Sequence, residues 1–211
     1  DDEETLFELY VLFEYVKAIE DHQDGETTVA TIETDRQEVA KIESEEGTDV
    51  VLYHDNSAEN RGLEFGPNLD QRPDGELTRA ERVRYEAHEV VKNYFQDRDI
   101  QSRSGRPDVI VLEIQGEDGY EYLITEVKYS TSVETVKQGV KETLEYLAFL
   151  RQDKTLVFTD DSPFGSGWNG VLVIQDLEGQ ETADIDDQTS IRILQAREIE
   201  QFIPDVLDRV L

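Results

Sequence analysis

Apolar residues fall in short runs along this chain, separated by acidic and turn-forming stretches. Residues 4–20 (ETLFELYVLFEYVKAIE) are apolar nearly all round a helix, the pattern of a buried one. Three β-type runs follow between 27 and 54: TTVATIE, EVAKIE and TDVVLYH. Residues 56–76 are polar and carry Gly62, Gly66, Pro67, Pro73 and Gly75, so they read as a long connection. A second helix is predicted over 78–95, opened by the capping-box pair Thr78 and Glu81. A short strand at 100–102 and a turn at 104–107 lead to a strand over 108–114. Asp118 and Gly119 signal a hairpin turn, with its return strand over 120–128. A third helix is predicted over 132–150, with Val133, Val136, Val140, Leu144 and Leu147 along one face. Short apolar strands are expected at 155–159 and 171–174, then an acidic loop at 175–189, a strand at 191–194 and a helix over 196–210. This alternation is that of an α/β protein. The order helix, strand, strand, strand, helix, strand spans roughly residues 78–160.

Composition changes the picture in one respect. The 211 residues hold 50 Asp and Glu against 20 Lys and Arg, a formal net charge of -30. Such acidity accompanies disorder in apolar-poor chains. Here 37% of residues are hydrophobic and nine Tyr, eight Phe and one Trp are present, so the chain reads as folded with its acid on the surface. Self-repulsion at that charge is relieved by concentrated salt, which points to a salt-loving cytoplasm. An acidic protein that binds basic partners is the competing explanation, but the acid is spread along the chain. The absence of Cys excludes disulfides, a thiolate nucleophile and a Cys-rich zinc site. The longest apolar stretch is broken by Glu8, Glu14 and Lys17, so no membrane span is expected. No signal peptide is visible, and the missing initial Met suggests processing or a piece of a longer protein.

The candidate chemistry lies at one hairpin. Pro107-Asp108 opens one strand, and Glu126-Val127-Lys128 closes the next. Side chains alternate along a strand, so Glu126 and Lys128 share a face and Val127 takes the other. The hairpin brings Asp108 beside that pair. Two close carboxylates repel, and a divalent cation resolves the conflict. All-oxygen ligands suit Mg2+ or Mn2+, with the Val127 carbonyl as a further ligand. Such a metal activates water and neutralises charge at a phosphodiester, while Lys128 orients the water or stabilises developing negative charge. Pro-Asp occurs three times in the chain, but only Pro107-Asp108 precedes an apolar strand. Glu-x-Lys occurs once. The bland alternative is a turn-capping Asp108 and a surface pair of Glu126 and Lys128.

GRPDVIVLE (105–113), YLITEVKYS (122–130) and the helix after them resemble the core of the PD-(D/E)XK nuclease superfamily, most strongly over roughly 105–150. The resemblance implies a restriction-endonuclease-like core, a central mixed sheet flanked by helices, and Mg2+-dependent cleavage of DNA. It implies Asp108 and Glu126 as metal ligands and Lys128 as the catalytic lysine. The superfamily often places one more acid on its first core helix. LFELYVLFEYV (6–16) resembles the opening helix of the nuclease subunit of modification-dependent restriction systems, which points to Glu8. RVRYEAHEVVKNYF (82–95) resembles the resolvase-type arrangement, which points to Glu86 or Glu89. An ionised Glu in so apolar a helix as 4–20 needs a partner or a metal, which favours Glu8. RecB-like members carry Gln and, four residues on, Tyr after the lysine. Here Gln138 is followed by Glu142 at that spacing, and the pattern fails.

Acidity and a polyanionic substrate are reconciled by uneven charge. Residues 76–154 hold 12 Lys and Arg against 16 Asp and Glu, and the rest of the chain 8 against 34. Arg103 and Arg106 before the hairpin, and Lys137, Gln138 and Lys141 after it, are candidates for nucleic-acid contact. Residues 1–76 are expected to pack as an arm of helix and strands on a nuclease core of 77–211. A partner subunit or a missing domain would supply target recognition, and cutting both strands would call for a homodimer. The reading is thus a Mg2+-dependent endonuclease of DNA restriction, defence or processing, without membrane association. Its rivals are an inactive nuclease-like binding or assembly module and an acidic protein-interaction domain. Gly165 to Gly170 fits G-x-G-x-x-G, but it enters a strand instead of leaving one, so it reads as a turn.

Overall fold

A computed structural model describes residues 2–22, 27–29, 38–43, 49–54, 63–65, 109–116, 119–159, 161–177 and 190–210. The helix predicted over 78–95, the strand at 100–102 and the turn at 104–107 lie outside them. The elements are helix α1 (Asp2–His22), strands β1 (Thr27–Val29), β2 (Glu38–Glu43), β3 (Asp49–His54), β4 (Leu63–Glu64), β5 (Val109–Gly116) and β6 (Gly119–Lys128), then helix α2 (Val133–Phe149). Strands β7 (Arg151–Gln152), β8 (Thr155–Leu156), β9 (Gly170–Ile174) and β10 (Arg192–Gln195) follow. A 3-10 turn (Ala196–Glu198) then leads into helix α3 (Ile199–Val210).

Seven strands form one mixed sheet in the order β1-β2-β3-β5-β6-β9-β10, flanked by helices. Pairing is antiparallel from β1 through β6 and parallel from β6 through β10. The expected β5–β6 hairpin is present, and Gly116 pairs with Gly119. The parallel β6–β9 pair requires a crossover, which α2 supplies. The first three strands are continuous with the rest of the sheet through the β3–β5 ladder, from Asp49 opposite Gln115 to His54 opposite Ile110.

Strand alternation sorts the core into two faces. Leu123, Val127, Val171 and Val173 join Val11, Leu12, Tyr15 and Ile19 of α1 and Ile203 and Leu207 of α3. On the other face Val111, Tyr122 and Ile124 meet Leu147 and the partly buried Val140 and Leu144 of α2. The buried positions of α1 (11, 12, 15, 16, 18 and 19) follow helical spacing, as one covered stripe should.

Three expectations are corrected. The first helix is not buried all round: Leu6 is 65% exposed, and Tyr10 and Phe13 also face outward, because only one side meets the sheet. Residues 155–159 do not form a strand of the main sheet. Thr155 and Leu156 pair with Arg151 and Gln152 in a tight hairpin, to which Leu63 and Glu64 add a third strand inside the stretch read as a plain connection. Val157 and Phe158 still pack on the α2-side core, so their apolar character reports burial without strand geometry. Finally, Val133 is 79% exposed although it lies on the predicted apolar face, since α2 begins beyond the edge of the core.

Candidate active site

Glu126 and Lys128 sit at the carboxyl end of β6, where the strand has an antiparallel neighbour on one side and a parallel one on the other. Glu126 is in register with Val109 of β5 and Leu172 of β9. Open α/β sheets bind ligands at the carboxyl ends of their strands. Both side chains project to the α2 face, as strand alternation requires, and Thr125 and Val127 project to the other. A short link returns the chain over the site: Ser130 N donates to the Lys128 carbonyl (2.8 Å), and Ser132 N donates to Ser130 Oγ (3.0 Å). With Ser132 as N-cap, α2 starts there and runs back across β6 and β9.

The lysine is held by two acids. Lys128 Nζ lies 2.5 Å from Glu126 Oε1 and 2.8 Å from Glu142 Oε2. Glu142 Oε1 accepts from Gln138 Nε2 at 2.8 Å, one helical turn earlier. Glu126 is only 3% exposed, whereas Lys128 and Glu142 reach partly into solvent. Glu126 is therefore the floor of the site and the other two its wall. Burial works against the charge on Lys128, but Glu126 first and then Glu142 outweigh it and raise its pKa above the ordinary lysine value. Burial likewise works against the Glu142 carboxylate, and hydrogen bonds from Lys128 and Gln138 overcome it to hold its pKa below the usual carboxylate range. The lysine is thus an ammonium at neutral pH, ion-paired with two carboxylates.

The remaining candidates divide as follows. Asp108, Arg103, Arg106, Glu86 and Glu89 lie outside the described residues, and Val109, the chain neighbour of Asp108, is the residue paired with Glu126. The Val127 side chain is buried in the α1-side core, and its main chain is in register with Val173. Glu8 is half-buried on α1, one turn before Val11 and Leu12 on the helix's covered stripe. α1 covers the face opposite Glu126, but its first turns lie at the same end of β6. The Phe7 ring sits 5.5 Å from that of Tyr129, the residue after Lys128. Lys137 and Lys141 are exposed on α2, with Lys141 Nζ at 4.0 Å from Glu145. Gln138 is exposed but engaged with Glu142.

Two contributors escape the sequence reading. Glu142 stands out there only as a departure from the RecB-type spacing. Gly139 lets α2 approach the sheet: a Cβ there would lie 2.6 Å from Leu172 Cδ1 and 3.2 Å from Lys128 Cγ. Their shared signal is position, since 138, 139 and 142 fall within about one turn of one helix. The donors facing the site are oxygens, which fits a hard cation. Among the described residues, no group of three or more His, Asp or Glu is placed to hold a metal ion. Also among them, no helix is long and apolar enough to cross a membrane. Comparison with protein families, with curated proteins and with solved structures finds no match to this chain.

Proposed function

We propose that this protein is a Mg2+- or Mn2+-dependent nuclease with a restriction-endonuclease-like core, hydrolysing DNA phosphodiester bonds. The observation that carries this reading is the buried Glu126 carboxylate bound to the ammonium of Lys128 at the carboxyl end of β6. A surface strand pair would leave both side chains in water. Here a nearly dry carboxylate is held against a cation that reaches only partly into solvent, an arrangement that costs stability and recurs at functional sites. Glu126, with Asp108 and the carbonyl of Val127, would hold the cation. When bound, the metal would lower the pKa of a water and neutralise charge on the phosphodiester.

The chain's own residues then have distinct tasks. Lys128, ion-paired with Glu126 and Glu142, supplies positive charge to a phosphoryl oxygen as negative charge develops there. Lys137 and Lys141, exposed on one flank of α2, meet the phosphate backbone and position the nucleic acid. High salt weakens such contacts, so the site leans on metal bridging and shape.

The deciding experiment is cleavage of circular and linear DNA in concentrated KCl with Mg2+ or Mn2+, comparing the parent chain with Lys128→Ala and Asp108→Ala. Cutting by the parent that a chelator and both substitutions abolish is the expected result. Metal binding by the folded parent without any cutting would instead make it a nuclease-like binding module.

A further inference from the structure

We infer that Glu142 is a positioning residue for Lys128: braced by Gln138, it holds the lysine's ammonium in place between two carboxylates. The inference rests on the nuclease reading for what that placement serves, but the clamp itself is a matter of geometry. Lysine ammonium is a point charge on a flexible four-carbon stem and does not orient itself. Glu126, two residues away on the same strand, supplies one contact at 2.5 Å. One contact leaves the head free to swing about it. Glu142 reaches from α2 to supply a second at 2.8 Å, and two contacts hold the ammonium in one place.

The brace is built and not incidental. Glu142 would have its own rotamers were it not held through its other oxygen by Gln138 at 2.8 Å. α2 comes near enough for this only because residue 139 lacks a side chain. The Lys128 stem, whose Cγ lies 3.2 Å from where a Cβ would be, runs beneath that gap. One turn of α2 thus contributes a brace, a gap and a clamp to the same lysine. The departure from the Gln-then-Tyr spacing therefore has a purpose in this chain: the residue four after Gln138 needs a carboxylate to reach the lysine.

The test is NMR of the lysine ammonium groups of the full chain in concentrated KCl, with Glu142→Gln and Gln138→Ala beside the parent and Glu134→Gln as control. Lys128 protons in the parent should exchange with solvent at least roughly tenfold more slowly than those of Lys137 and Lys141, because two ion pairs and partial burial shield them. Glu142→Gln should remove most of that protection and Gln138→Ala part of it, with the Lys137 signal unchanged. Glu142→Gln should also lower kcat on DNA while leaving KM within about twofold. Lys128 exchange as fast as Lys137 in the parent, or full protection retained in both variants, would overturn the clamp. Should Glu142→Gln fail to fold, Gln138→Ala alone decides. A parent with a protected Lys128 that cuts no DNA removes the nuclease reading and leaves the clamp. A parent that cuts, matched in rate by a folded Glu142→Gln, removes the positioning role.

Discussion

Four consecutive residues of β6 show how differently the two faces of one sheet are used. Thr125 and Val127 turn toward α1 and α3, and Glu126 and Lys128 toward α2. On the first face β6 makes a neutral polar contact: the Tyr15 hydroxyl and Thr125 Oγ1 share a hydrogen bond in a fully buried setting. On the α2 face, buried carboxylates are present at Glu113 and Glu126, the former accepting from Gln115 Nε2 at 2.6 Å. A dry face keeps polar groups only where they satisfy one another without charge. At Glu126 the charge is matched by Lys128, which Glu142 also pairs at the rim. The contrast sets a neutral hydrogen bond inside one core against an ion pair at the edge of the other.

The comparison is tested most severely at the ion pair. Lys128→Ala should lower turnover about 10^2–10^3-fold, the scale for removing one preorganised donor. It should also destabilise the chain by roughly 1.5–3 kcal/mol, as the Glu126 carboxylate loses a charge-assisted bond. Glu126→Gln should abolish turnover as fully yet unfold less easily than Lys128→Ala, because the buried charge goes with the activity. Single-turnover cleavage and thermal unfolding of the two variants read both effects. If Glu126→Gln proves the less stable of the two, the buried carboxylate is there for the fold and not for chemistry.

Two glycines where α2 meets the sheet sharpen the same contrast within one face. A Cβ on Gly170 would lie 2.5 Å from Leu147 Cδ1 and 2.8 Å from Ile191 Cγ2, and one on Gly139 would crowd Leu172 and Lys128. Each Ala substitution should cost about 1–3 kcal/mol through overpacking. Only Gly139→Ala should reduce DNA cleavage beyond what lost stability explains, since it alone presses on the lysine stem. Equal activity losses in the two variants would mean that α2 merely packs.

On the dry face the expected effect falls on stability alone. Thr125→Val leaves the Tyr15 hydroxyl buried without its partner and should cost about 1–3 kcal/mol, while the double variant with Tyr15→Phe should recover much of that. DNA cleavage by the folded double variant should match the parent. Burial also raises the Tyr15 phenol above its usual pKa, against a smaller opposing effect of the Thr125 bond. A raised pKa favours the protonated form in the fold. Its contribution is complete below about pH 10, the ordinary tyrosine value, and is lost as pH rises further. Alkaline unfolding of the parent should therefore be blunted in Tyr15→Phe.

Much of this division is legible in the sequence, for a physical reason. Strand alternation has a period of two, so Glu126 and Lys128 sharing a face, with Val127 on the other, needs no tertiary knowledge. The hairpin at Asp118-Gly119 and the helix after Lys128 follow from equally local rules. Glu142 is less accessible. It lies 14 positions beyond the lysine, and its reach to the site depends on how closely α2 settles on the sheet, which Gly139 and Gly170 allow from different elements. Residues 155–159 are a strand only in part, at Thr155 and Leu156: a short apolar run reports burial, and Val157 and Phe158 are part of a core without being part of its sheet. The exposed side of α1 is misjudged because Leu6, Tyr10 and Phe13 are as apolar as the stripe that packs.

The smallest expected effect lies where α1 meets α3 at the surface. Lys17 Nζ and Glu200 Oε1 are 2.9 Å apart, with side chains 52% and 65% exposed. The bond raises the lysine's pKa and lowers the glutamate's, as any opposite charge would. Yet exposed pairs contribute little, and salt screens what remains. Lys17→Ala should leave the unfolding midpoint unchanged in concentrated KCl. In dilute buffer it should lower the midpoint slightly, because it removes one of 20 cations from a chain with 50 acids. A midpoint lowered equally in both buffers would show that the lysine's stem, and not its charge, holds the two helices together.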